Sequence, residues 1–212
     1  MTELNRQWKF SILSSVFMVL PDYFLVNVLG TLYFPDDGVW KIGGAVSWYM
    51  CGMWAIPFLL ILSISSFSSS TTCFGNDDQQ LQNKKETPII KIGYDDEPNV
   101  SELLCAAAVA LAIFGTAEHI LRPLNIWHAR EENITHMMGP SAAMYVLPAE
   151  ALLGCAILFT YRKVRNRCFI YQFFGCLAVM LMYTGSLAIS FLLLERQEIM
   201  QDVFIRSTSS SD

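Results

Sequence analysis

Four side chains able to exchange protons stand inside stretches otherwise fit for lipid: Asp22, Glu118, His119 and Glu150. Glu150 is the plainest case, two residues after Pro148 in "MYVLPAEALLG" (Met144–Gly154). Placing a carboxyl at the centre of a membrane helix costs roughly 2.5–3.5 kcal/mol on insertion scales. Partners in the folded protein must offset that cost, or the group keeps its proton. Acids held in this way can donate, relay or accept protons, which makes these four the candidate catalytic residues. The same placement also suits binding of a coupling ion or pairing with a partner helix.

Residues of this kind have to be positioned by membrane helices. The chain of 212 residues is 53% hydrophobic and only 16% charged, with a mean hydropathy of +0.39. A soluble domain carries about a quarter charged residues. The charges are also bunched, leaving apolar runs close to the roughly 20 residues that a bilayer core requires. These runs are Phe10–Leu32, Ile42–Phe67, Leu103–Leu121, Met137–Tyr161 and Cys168–Leu194. The expected fold class is therefore all-α: one integral membrane domain, a bundle of five transmembrane helices. The second and fifth runs exceed one bilayer thickness, which predicts tilt or an interfacial end. The first contains Pro21, Asp22 and Asn27 and competes with a signal peptide, but no small-x-small cleavage site follows it cleanly. It reads as a retained helix. Ser68–Glu102 reads as a polar, turn-rich loop in which "TPIIKIGY" suits a short strand or an interfacial segment equally. The tail, 195–212, closes on the low-complexity "RSTSSSD".

Charge sets the expected orientation. With the N-terminus cytoplasmic, that side holds Arg6, Lys9, Lys84, Lys85, Lys91, Arg162, Lys163, Arg165 and Arg167. The other side holds Lys41, Arg122, Arg130, Arg196 and Arg206. The bias follows the positive-inside rule, with "YRKVRNR" its strongest element, and predicts a cytoplasmic N-terminus and a C-terminus on the opposite side.

Helical rise sets expected depths. Asp22 lies 12 residues beyond Phe10 and Glu150 lies 13 beyond Met137, so both are expected near mid-bilayer. Glu118 and His119 fall roughly 8 Å nearer the outer face. Ala143, Leu147, Glu150 and Gly154 share one helical side, and Ala108, Ala112, Gly115 and His119 share another. Small residues on such stripes let membrane helices approach closely, which puts His119 at a helix contact. Glu118 stands four residues before Arg122, the spacing of a same-helix ion pair. Pro21, Pro57 and Pro148 are expected to kink three spans. "MWAIP" (Met53–Pro57) echoes "MYVLP" (Met144–Pro148) 91 residues later, a hint of internal repetition.

Other chemistries are excluded by composition. Three histidines cannot build a many-histidine di-iron site, and no CxxC occurs among the six cysteines. No GxGxxG or Walker-type glycine loop is present, and a pI near 5.2 with scattered bases argues against nucleic acid. His128, Glu132 and His136 are spaced four apart, so a helix would align them as metal ligands, or as the wet side of an interfacial segment. The second alternative is the ordinary one, and neither a metal nor a cofactor is called for. Sequons at Asn99 and Asn133 lie beside membrane boundaries and discriminate nothing.

The stretch "YVLPAEALLGCAILF" resembles the membrane lycopene cyclases of the carotenoid pathway. Those proteins are small bundles of repeated helical units in which Pro-x-Glu-Glu follows a short aromatic and glycine-containing stretch. Pro148 and Glu150 match that motif, Ala151 stands where its second acid would, and after Pro57 the acid position holds Leu59. The resemblance implies cofactor-independent acid–base chemistry on an apolar isoprenoid. Protonated Glu150 would give a proton to an alkene, and Asp22 or Glu118, with His119, would take one from the resulting carbocation. Trp48, Tyr49, Trp54 and Tyr145 would stabilise the cation, although membrane interfaces and packed cores use such rings just as readily.

Three classes of function stay open. The default is a non-catalytic membrane subunit or helper acting through its bundle, whose acids pair with a partner helix or a second copy. The others are an enzyme on an isoprenoid or other apolar lipid ligand and a small proton-coupled carrier. The lipid bilayer is a partner in all three.

Overall fold

The computed structural model describes residues 2–36, 38–72, 97–121, 124, 126–130, 133–138 and 142–196. The polar segment 73–96, with "TPIIKIGY", and the tail from 197 onward lie outside the described residues.

Helix α1 (Glu3–Phe17) is inside-out by the standards of a soluble protein. Leu4, Trp8, Ile12 and Val16, four apart on one face, are exposed, while Gln7, Ser11, Ser14 and Ser15 are buried. Small polar residues turned inward with large apolar ones turned outward is the pattern of a helix solvated by lipid. Pro21 has no N–H to offer the Phe17 carbonyl, and the helix breaks at Met18 before resuming as α2 (Val19–Phe24). A π turn, Leu25–Leu29, widens the backbone next and stops at Gly30, whose φ of 66° is left-handed.

Strand β1 (Leu32–Tyr33) leads to a hairpin of β2 (Lys41–Ile42) and β3 (Val46–Ser47). Gly43 and Gly44, both at positive φ, make its turn. The short helix α3 (Met50–Met53) then breaks at Trp54, because Pro57 cannot bond the Met53 carbonyl, and α4 (Ala55–Thr72) follows. Helix α5 (Val100–Leu121) opens on a reciprocal cap. The Asn99 N–H donates to Glu102 Oε2 at 2.9 Å and the Glu102 N–H donates to Asn99 Oδ1 at 2.8 Å. After α5 come β4 (His128–Ala129), which pairs antiparallel with β1, and the hairpin β5 (Met137–Met138) with β6 (Ala142–Ala143). Helices α6 (Val146–Val164) and α7 (Phe169–Glu195) complete the described chain.

The rods pack as an up-and-down bundle. Gln7 Nε2 at the start of α1 donates to Ser66 Oγ late in α4, at 3.3 Å. Glu102, early in α5, meets Arg162, late in α6, at 3.1 Å. The closest approach is at Gly154, where a Cβ would lie 2.5 Å from the Ala106 carbonyl oxygen and 2.7 Å from Ala110 Cβ. The stripe on α5 is therefore Ala106, Ala110 and Phe114. The expected stripe of Ala108, Ala112, Gly115 and His119 is one to two positions out of register and faces away: Ala108, Ala112 and His119 are exposed.

Among the described residues, three helices are long and apolar enough to cross a membrane: Glu3–Leu29, Val100–Ile120 and Phe169–Glu195. The apolar helix Met50–Ser66 is shorter, and α6 carries Glu150, Arg162 and Lys163 in its 19 residues. The second and fourth apolar runs begin not as helix but as the β2–β3 and β5–β6 hairpins, so the helices start later than hydropathy predicts. Pro148 consequently falls in the first turn of α6, where its missing N–H has no partner to lose, and it does not kink a span.

The echo of "MWAIP" in "MYVLP" extends to structure. Each half runs helix, strand, hairpin, then, after the short α3 in the first half only, a helix whose third residue is proline and whose preceding residue is aromatic, Trp54 or Tyr145. Equivalent strands β1 and β4 pair antiparallel, as two copies turned about the bundle axis would.

Candidate functional site

At the end of the bundle carrying the hairpins lies a half-enclosed cavity of about 110 Å³. Three carboxyls line it, Asp22 from α2, Glu118 from α5 and Glu150 from α6, and no Lys, Arg or His is among the described lining residues. The remaining wall is mainly aromatic and aliphatic, including Phe34, Trp54, Phe114, Trp127, Tyr145 and Tyr183.

Each acid is held differently. Asp22, 3% exposed, accepts a hydrogen bond from Trp54 Nε1 at 3.2 Å. Asp22 stands in the short helix between the break at Met18 and the π turn that starts at Leu25. Glu118 accepts from Trp127 Nε1 at 3.4 Å. Glu150, 4% exposed, lines the cavity with no hydrogen-bond donor against it among the described residues. Glu118 thus faces the same cavity as Asp22 and Glu150, from a third helix.

Ring packing makes the wall rigid. Trp54 meets Phe58, Phe114 and Tyr183 at centroid distances of 5.9, 5.1 and 5.9 Å. The Tyr145 hydroxyl is 2.6 Å from Thr31 Oγ1, and its ring packs edge-on against Phe191. Thus Trp54 and Tyr145, the equivalent aromatics of the two repeats, both face the cavity.

The expected depths need correction. Asp22 stands seven positions before Leu29, Glu118 three before Leu121 and Glu150 four after Val146. All three therefore lie within roughly 10 Å of one end of their helices. The mid-bilayer estimate failed because residues counted as helix before Glu150 form a hairpin. His119 is not part of the group. It is exposed, and its Nδ1 bonds only to the Gly115 carbonyl of its own helix, 2.8 Å away.

Other candidates are placed as follows. Arg122, the expected partner of Glu118, and Glu132 lie outside the described residues. His128 sits on β4 opposite Tyr33, and His136 is beside β5 with Nδ1 3.7 Å from Glu195, so no helix aligns the histidines. Among the described residues no cluster suited to a metal occurs. Of the four aromatics named for cation stabilisation, Trp54 and Tyr145 line the cavity; Trp48 is exposed and Tyr49 donates to the Ile126 carbonyl. Thr31, Trp127 and Tyr183 escaped sequence reasoning. For Tyr183, mid-way along an apolar helix, the signal was a tyrosine spaced to face inward with Cys176, Met180 and Leu187.

Fold and site together define a helical membrane protein with an acid-bearing, aromatic-walled cavity at one end. The chain belongs to the family described as DUF6989, a domain of unknown function, whose model matches residues 19–74 and 87–194. All three cavity acids fall within the matched segments. No curated protein and no solved structure matches the chain.

Proposed function

We propose that this chain is a five-span membrane enzyme performing cofactor-independent acid–base chemistry on an apolar, alkene-bearing lipid, as an isoprenoid cyclase or isomerase. One observation carries this reading: three carboxyls from three helices converge on a cavity whose other walls are rings and aliphatic groups. Glu150, with no donor against it, is the acid. Its proton adds to one alkene carbon and leaves a cation on the other, which the rings of Trp54, Phe114 and Tyr183 stabilise. Attack by a neighbouring double bond forms a new C–C bond and moves the cation onward. Loss of an adjacent C–H proton to Asp22, held by Trp54, restores an alkene. Glu118, on the same cavity, takes that proton from Asp22 and returns it to Glu150. The product is an isomer of the substrate, so no oxidant, reductant or co-substrate enters. The likeness of Pro148-x-Glu150 to the lycopene cyclase motif supports the same chemistry.

The helper reading is less well served, because acids meant for a partner helix would face outward and these face the chain's own cavity. A carrier needs a route to the far end, and Phe58, Ile61, Leu62, Leu153, Ile157 and Leu158 fill the bundle with apolar side chains less than 2% exposed. Positive-inside bias supports a cytoplasmic N-terminus, since Arg6, Lys9, Arg162, Lys163, Arg165 and Arg167 gather at the end away from the cavity. The cavity then opens toward the non-cytoplasmic side.

The test is comparative lipid and isoprenoid profiling of cells that carry the protein, lack it, or carry Glu150→Gln. A species present only with the intact protein, and lost in Glu150→Gln at normal abundance, is the expected result. A profile unchanged by Glu150→Gln overturns the proposal.

A further inference from the structure

A second cavity, also about 110 Å³, lies at the opposite end of the bundle, between the start of α1, the end of α6 and the start of α7. Arg6, Lys9 and Phe10 form one wall, Tyr161 and Arg165 a second, and Gln172 the third. Three cations thus surround a space with no carboxylate among its described lining residues. Glu3 stands beside it, with Oε1 3.1 Å from Arg165 Nη1 and Oε2 3.7 Å from Arg6 Nη1, and it accepts the Tyr161 hydroxyl at 2.8 Å. Lys9 meets no acid among the described residues. The floor is apolar: Phe10 is 2% exposed and its ring packs on Tyr161 at 5.4 Å. Immediately beside it α7 presents Phe169, Ile170 and Phe173 outward, a surface suited to acyl chains.

We infer that this cavity binds the phosphate of an anionic lipid headgroup. Arginine forks hold phosphate oxygens with directed hydrogen bonds, and a lysine adds a point charge without fixed geometry. Basic pockets between membrane helices take such headgroups on the cytoplasmic side. The site is separate from the acid cavity, because Lys9 and Asp22 are 13 residues apart along one rod, roughly 20 Å. Its occupancy does not depend on any chemistry there.

The experiment uses the full chain, stripped of lipid, in a neutral detergent, where no charged membrane surface exists. Thermal unfolding is followed against phosphatidylglycerol, phosphatidylcholine and inorganic phosphate. Phosphatidylglycerol is expected to raise the midpoint and phosphatidylcholine not to. Lys9→Gln, at an exposed position that should not disturb folding, is expected to weaken the response about fivefold, and Arg165→Gln at least as much. Arg167→Gln removes an equal charge at the same end but outside the pocket, and should leave the response intact. Equal responses to the two lipids, or equal losses in Lys9→Gln and Arg167→Gln, overturn the site. A response to inorganic phosphate that matches phosphatidylglycerol, with the same variant pattern, overturns the lipid source and assigns the pocket to soluble phosphate.

Discussion

Glu118 and His119 are adjacent in sequence, yet only one of them reaches the cavity. A step of one residue turns about 100° around a helix, enough to carry His119 to the outer face. His119→Ala should therefore leave both product formation and unfolding unchanged, whereas Asp22→Asn should lower product formation by about a hundredfold or more, the contribution typical of a proton-transferring group. Equal effects of the two substitutions would remove Asp22 from the chemistry. Trp54→Phe separates the roles of ring and N–H. It keeps the packing with Phe114 and Tyr183 but strips the donor from Asp22, and should lower stability by about 1 kcal/mol in detergent unfolding. At this scale the acids were legible, because a carboxylate in an apolar run is conspicuous. Their partners were not, since a Trp N–H that will meet a carboxylate looks like any other indole in a membrane.

At the scale of elements, hydropathy located the helical rods and misjudged where two of them begin. Ala45, Val46, Trp48 and Met137 are as apolar in a hairpin as in a helix, so only turn chemistry such as Gly43–Gly44 separates the two. The error moved Glu150 from the start of α6 to an imagined mid-span. Helix contacts were partly legible: Gly154 was correctly placed on a packing stripe, but its partner face on α5 was read in the wrong register. Gly154→Val would push a side chain into the Ala106 carbonyl and should destabilise the bundle by about 1–3 kcal/mol, measured as a lower unfolding midpoint. Gly115→Ala, with open space around it, is the matching control and should have little effect. Asn99→Ala removes the acceptor that caps α5 and should cost about 1 kcal/mol in the same assay.

For the whole molecule, the proposed five-span arrangement puts the turn after α6 and the loop after β1 on opposite sides of the membrane. In a cysteine-free background, restored Cys168 should react with an impermeant thiol reagent only after cells are opened, and Asp36→Cys should react in intact cells. Labelling of both from one side would refute the alternating arrangement. The repeat was faintly legible in five residues; its extent was not, because hairpins, strand pairing and helix direction leave no trace in a short apolar match. Its imperfection has a chemical meaning. The second residue after proline is Leu59 in one half and Glu150 in the other, so the proposed proton donor has no acidic counterpart at the matching position of the other half. With Glu150 as the proposed donor, a planar double bond seated beside it would take its proton from a single face. Two matching acids would protonate either face and give mirror-image products; one acid and one leucine would deliver a single configuration at the new stereocentre.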